Sequence, residues 1–213
     1  MQATAAPFVP ATHDLATLAT AARTCQGCAL HENAHQTVFG TGPADVSLML
    51  VGEQPGDQED RRGMPFVGPA GRLLDKALAQ AGIDRSTVYL TNAVKHFKFV
   101  QAERGGRRIH KAPSRLEVVA CRPWLLAEID TVAPDLIVLM GATAAKSLLG
   151  SDFRLTSHRQ ETLELPREYA QKSPDVVVTV HPSAVLRASA GQRSEAFDGL
   201  VSDLSFAARR VQV

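Results

Sequence analysis

Val46-Ser47-Leu48-Met49-Leu50-Val51 runs straight into Gly52-Glu53-Gln54-Pro55-Gly56-Asp57, a short apolar stretch ended by a polar turn. A run this short and this apolar fits a strand buried on both faces, the condition of a parallel sheet covered by helices. Three further runs have the same form, Val88 to Val94, Asp135 to Met140 and Val176 to Val180, each leading to a Gly, Asn or His-Pro break.

Helical patterns separate these runs. Leu73, Leu74, Ala77, Leu78 and Ala81 make one stripe, begun near Pro69 and stopped by Gly82, as Pro and Gly do at helix starts and ends. Ser114 and Glu117 have capping-box spacing ahead of Val118, Cys121 or Arg122, Leu125, Leu126 and Ile129, so a helix starts just after Pro113. Ala142 to Leu149 closes on Gly150, and Ala196, Phe197, Leu200, Val201, Leu204 and Ala208 share one face of a C-terminal helix. The alternation predicts an α/β fold, a three-layer αβα sandwich with a central four-stranded parallel sheet. Its crossovers are right-handed and its ligand sites lie at the carboxyl ends of the strands.

A chain of 213 residues is long enough for one such domain. Residues 1–12, small and Pro-containing, are expected as a flexible arm, with 13–213 as the domain. With 45% hydrophobic and 21% charged residues, and no apolar stretch near the ~18 residues of a membrane span, a membrane role is excluded and a monomer in the cytoplasm is expected. Lys and Arg number 23 against 22 Asp and Glu, so an anionic partner must be held by a local basic patch rather than by overall charge. Three cysteines are too few for a disulfide framework, which fits a reducing compartment.

Two polar strand ends in one sheet mark a site. The first places two acids and an amide, Glu53, Asp57 and Gln54, after β-type sequence; with no Gly-Lys-Ser/Thr following, it is not a phosphate loop. The fourth ends in His181-Pro182-Ser183. The longest polar insertion, Lys98 to Pro113, carries Arg104, Gly105, Gly106, Arg107, Arg108, His110 and Lys111 right after the second strand. Cys25 and Cys28 form a Cys-x-x-Cys pair that by itself fits a redox dithiol, half a zinc site or half an iron-sulfur site, with Cys121 as a third thiolate.

The Gly52 to Asp57 turn and the His181-Pro182-Ser183 turn resemble the paired active-site motifs of the uracil-DNA glycosylase superfamily. The similarity extends from Cys25 to the last helix and is closest to the family 4 enzymes and, within that neighbourhood, to the UdgX group. Pro65-Phe66-Val67-Gly68-Pro69-Ala70-Gly71-Arg72-Leu73-Leu74, Thr91-Asn92-Ala93-Val94-Lys95-His96 and Arg107-Arg108-Ile109-His110 carry it. A glycosylase of this kind must hold an extruded base by its face and its Watson-Crick edge and stabilise charge as the N-glycosidic bond breaks.

The resemblance implies Phe66 against the uracil face, Asn92 on its O4 and N3–H edge, Gln54 beside the base, and His181 donating to O2 as negative charge develops there. It implies Glu53 and Asp57 in catalysis and Lys98, Arg107, Arg108, Ser183 and Arg187 on DNA. Uracil-containing DNA, single-stranded as well as double-stranded, is the implied partner, with uracil as product. It also implies a [4Fe-4S] cluster on Cys25, Cys28 and Cys121, with His96 standing where family 4 has its fourth Cys. UdgX proteins read Lys-Arg-Arg-Ile-His at the covalent site; here Gly106 replaces the Lys and His110 keeps the nucleophile position. The leading expectation is therefore uracil excision ending in a covalent His110 adduct, with Glu53 orienting or deprotonating the imidazole. The alternatives are a multiple-turnover glycosylase in which Glu53 or Asp57 directs water, a nucleic-acid-binding module without chemistry, and a redox protein built on Cys25 and Cys28.

Overall fold

The computed structural model describes residues 3–102, 106–170 and 172–211. The four apolar runs form parallel strands β1 (Leu48–Gly52), β2 (Val88–Asn92), β5 (Leu136–Met140) and β7 (Asp175–Thr179). A two-residue strand, β6 (Leu163–Glu164), adds an antiparallel edge, giving a sheet of five strands in the order β2-β1-β5-β7-β6. That edge strand is too short to show in the sequence pattern.

Alternate residues of each buried strand face opposite layers. Leu48, Leu50, Leu90, Val138, Met140 and Val177 pack with Leu74 and Leu78 of α3 (Pro69–Gln80), Val185 of α6 (Pro182–Arg187) and Leu200 and Leu204 of α7 (Arg193–Val211). Met49, Val51, Tyr89, Ile137, Leu139 and Val178 pack with Leu125 and Ile129 of α4 (Arg115–Val132) and Ala144 and Leu148 of α5 (Ala142–Leu149). The capping box is present: Glu117 N–H donates to Ser114 Oγ at 3.3 Å and Ser114 N–H to the Glu117 carboxylate. Among the described residues no helix is long and apolar enough to cross a membrane.

Two expectations are corrected. Residues 3–12 do not form a loose arm: Ala5 is 1% exposed, and its N–H donates to Ala120 O of α4 at 2.7 Å. The approach is possible because Gly27 lacks a side chain; a Cβ there would lie 2.6 Å from Ala5 Cα. This segment, α1 (Leu15–Ala22) and Trp124 build a third apolar cluster around Cys25, Cys28 and Cys121. The polar insertion is likewise a hairpin, β3 (Phe99–Gln101) against β4 (Arg108–His110), with Phe99 opposite His110. Arg104 and Gly105 of that insertion lie outside the described residues.

Candidate active site

A cleft of about 820 Å³ opens where β1, β2 and β7 end, walled on one side by the hairpin. Buried beneath its lining residues Asn92, Phe66 and His181 is Gly52, the last residue of β1. A Cβ on Gly52 would fall 2.4 Å from Asn92 Oδ1, 2.7 Å from Phe66 Cζ and 3.5 Å from His181 Nε2. An amide, an aromatic edge and an imidazole nitrogen thus meet over a residue with no side chain. Phe66 holds this place at a strained backbone angle, φ 56°, uncommon for a bulky residue and a mark of sites fixed by their surroundings. Gly71 permits it, since a Cβ there would strike Phe66 O at 1.8 Å.

His181 is held in one tautomer. It caps α6, and its Nδ1 accepts the Ser183 N–H at 3.1 Å, so the neutral ring must carry its hydrogen on Nε2, the nitrogen facing the cleft. Burial, helped by the charge of Arg187 and the His110 ring and opposed by Glu53, depresses its pKa to about 4. At neutral pH the cleft therefore receives a neutral N–H donor.

His110 lies across the cleft, its side chain 47% exposed, with Nε2 3.3 Å from Glu53 Oε1. Burial raises the Glu53 pKa, but bonds from His110 and from Thr143 of α5 (2.5 Å) outweigh it and hold the carboxyl below its ordinary value. Gln54 Nε2 is also 2.9 Å from His110 Nε2, yet it lies within reach of Lys98 O (3.2 Å) and Lys111 O (3.1 Å), while Oε1 accepts from Lys98 N–H at 3.2 Å. Two amide hydrogens suffice for the two carbonyls, which leaves His110 Nε2–H to donate to the ionised Glu53. Gln54 therefore clamps both ends of the hairpin while lining the cleft. Thr143 carries no signal in the sequence because it acts from the start of a helix 90 residues away.

The basic insertion also divides. Arg108, read as a phosphate contact, has a side chain only 6% exposed. Its guanidinium bonds Asp57 and the fully buried Asp60, each at 2.5 Å, and stacks 5.2 and 4.9 Å from the rings of Phe97 and Phe99. Burial raises the Asp57 pKa, but Arg61 and Arg108 together bring it below the ordinary carboxylate value. Asp57 thus anchors the hairpin on α2 (Asp57–Arg62). Lys98 is paired with Glu117 at 2.7 Å. Arg107 is exposed at the cleft, and Arg187 reaches Ser183 Oγ at 2.9 Å.

Residues 39–205 match the family model described as Uracil DNA glycosylase superfamily. The chain belongs to the uracil-DNA glycosylase superfamily. It is 35% identical over 180 residues to a type-4 uracil-DNA glycosylase of Pyrobaculum aerophilum, covering 82% of this chain and 85% of the relative. A second relative of that name, from Thermotoga maritima, is 37% identical over 164 residues, 76% of this chain and 78% of its own length.

Within this superfamily member two further residues brace the end of β2 at Asn92. Lys95, fully buried, donates to Asn92 O and Thr91 Oγ1, each at 2.7 Å, and pairs with Glu128 of α4. Glu128 also accepts from Gly40 N–H and Tyr89 O–H. Lys95 belongs to the Thr91 to His96 motif, but its partner Glu128 carries no signal in the sequence because it lies in a helix 33 residues further on.

The thiols of Cys25, Cys28 and Cys121 share the N-terminal apolar cluster, and Cys121 Sγ accepts the Lys95 N–H at 3.3 Å. Burial above all pushes Cys121 up to about 12. His96 Nε2 lies 3.0 Å from Thr37 Oγ1, whose hydrogen goes to Ala22 O, so Nε2 is the protonated nitrogen and Nδ1 remains for a ligand. Among the described residues no three His, Cys, Asp or Glu converge closely enough to hold a metal ion.

Proposed function

We propose that the protein excises uracil from DNA. The observation that carries this reading is the meeting of Asn92 Oδ1, Phe66 Cζ and His181 Nε2 over Gly52: an edge-reading amide, a ring for the base face and a neutral donor for O2 around one small space. The bond from C1′ to uracil N1 breaks with its electron pair passing to the base, and the His181 Nε2–H stabilises the charge that grows on O2. Release of labelled uracil from single- and double-stranded oligonucleotides tests it; release of no base, or of thymine equally, overturns it.

Gly52→Ala is the sharpest structural probe of this pocket. Its methyl group would strike Asn92 Oδ1 and Phe66 Cζ and displace the groups that meet the base, so uracil release in single-turnover assays should fall by about 10²-fold, with affinity for uracil-free DNA unchanged. Unchanged release would remove Gly52 from the support of the pocket.

For the sugar cation left behind, two fates differ. The names of the relatives support turnover, in which Glu53 takes a proton from water as its oxygen bonds C1′. A different observation supports capture: His110 stands on a hairpin fixed by Arg108 and Gln54, with Nε2–H on an ionised Glu53. We propose capture. The unprotonated ring nitrogen bonds C1′, the Nε2–H proton passes to Glu53, and a neutral N-substituted imidazole results.

We further propose a [4Fe-4S] cluster held by Cys25, Cys28, Cys121 and His96, supported by three thiols in one apolar cluster and the open His96 Nδ1. When bound it would tie the N-terminal segment to α4. The purified protein should contain about four irons per chain, and Cys121→Ala should lose iron and thermal stability together. Stoichiometric zinc with negligible iron overturns this.

A further inference from the structure

We propose that the groove between α3, α6 and α7 holds nucleotides beyond the immediate neighbours of the uracil on the same DNA strand, an inference that rests on the glycosylase reading. The groove, of about 580 Å³, has an apolar floor that includes Leu73, Leu186 and Phe197, and its rim carries Arg72, Lys76 and Arg193. No carboxylate is among its lining residues. All three cations are exposed, and among the described residues none forms an ion pair; Asp75, the acid beside them on α3, is engaged by Arg85 at 3.1 Å. In a chain of formal net charge +1, three unpaired cations around an apolar slot are a local concentration of positive charge.

The groove is continuous with the uracil cleft. Pro69 and Leu186 line both, and Leu186 is 38% exposed between them. Arg187, next along α6, reaches Ser183 inside the cleft. An apolar platform for base faces beside a rail of cations for the backbone is how single strands are held without sequence preference. An acidic apolar peptide would satisfy the same charges, but continuity with the pocket that takes the base favours the strand itself. Phosphates on this rail would also fix the register in which the uracil meets Asn92.

The test uses oligonucleotides bearing a 2′-fluoro uracil nucleotide, which resists cleavage, so that binding is measured without chemistry. Affinity is followed against salt for a trinucleotide and for a strand of roughly 15 nucleotides, with the wild type and with Arg72→Ala/Lys76→Ala/Arg193→Ala. Single-strand contacts contribute about 0.7 to the salt slope each, so three lost contacts should flatten the long-strand slope by about 2. Trinucleotide affinity and uracil release from a trinucleotide should stay unchanged. Lys76→Glu, a single exposed change, should weaken long-strand binding in the same direction. An unchanged long-strand slope in the triple variant overturns the proposal, as does binding of an acidic peptide at this rim that leaves DNA affinity unaffected. Failure of the wild type to release uracil from any strand would instead sink the glycosylase reading, so the two failures are distinguishable.

Discussion

A uracil-containing single strand mixed with the wild-type protein should yield a species of protein plus DNA that survives heat and SDS, in an amount equal to the protein present. Loss of uracil leaves an electrophilic sugar, and an imidazole fixed beside it has an effective concentration far above that of a competing water. The hairpin supplies that fixation: Gln54 clamps its two ends through Lys98 and Lys111, and Arg108 locks it onto Asp57 and Asp60. The link formed lacks a leaving group as stable as the uracil anion, so it should persist. His110→Ser and His110→Gly should abolish the species entirely while leaving room for water, and base release should continue and turn over. Mass spectrometry after nuclease digestion decides the matter. A wild type that releases many uracils per chain with no adduct, or an adduct whose sugar maps elsewhere than His110, returns the protein to the turnover reading that the names of its relatives support.

The sheet was legible because burial on both faces leaves uninterrupted apolar runs, and helix ends were legible where chemistry is local, as in the Ser114 and Glu117 capping box. What escaped depends on contacts distant in sequence. A run of arginines reads as a phosphate surface, and nothing near Arg108 reveals that its carboxylates lie 51 and 48 residues upstream. The hairpin lacks an apolar alternation because its outer positions are apolar although exposed, Val100 45% and Ile109 47%, while its inner face is held by a cation on two rings. The docking of the N-terminal segment through Ala5 was invisible for a related reason: an alanine and a glycine carry no hydrophobic signal, though their smallness lets two backbones touch. The pocket residues Phe66, Asn92 and His181 were named through resemblance to a family, and the structure adds why they meet, a glycine beneath them that none of them advertises.

His181→Ala should lower single-turnover uracil release by about 10²–10³-fold, the usual effect of removing one donor from a developing oxyanion, with little change in affinity for uracil-free DNA. His181→Gln, whose amide can donate in place of the imidazole, should recover part of the loss. The pH profile separates a neutral donor from a protonated one. Because burial holds the folded pKa near 4 against an ordinary 6.5, the ring stays neutral through the range in which a free histidine titrates, and release should show no inflection near 6.5 from this residue. The same depression makes the ring a reporter of stability. The folded state binds this proton less readily than the unfolded chain, so the contribution is fully present above about 6.5 and is lost progressively as pH falls towards about 4. Melting temperature should accordingly fall across that window by more in the wild type than in His181→Gln. An activity limb centred near 6.5 that disappears in His181→Gln would show that the imidazolium, not the imidazole, meets the leaving base, and the neutral-donor assignment would then be wrong.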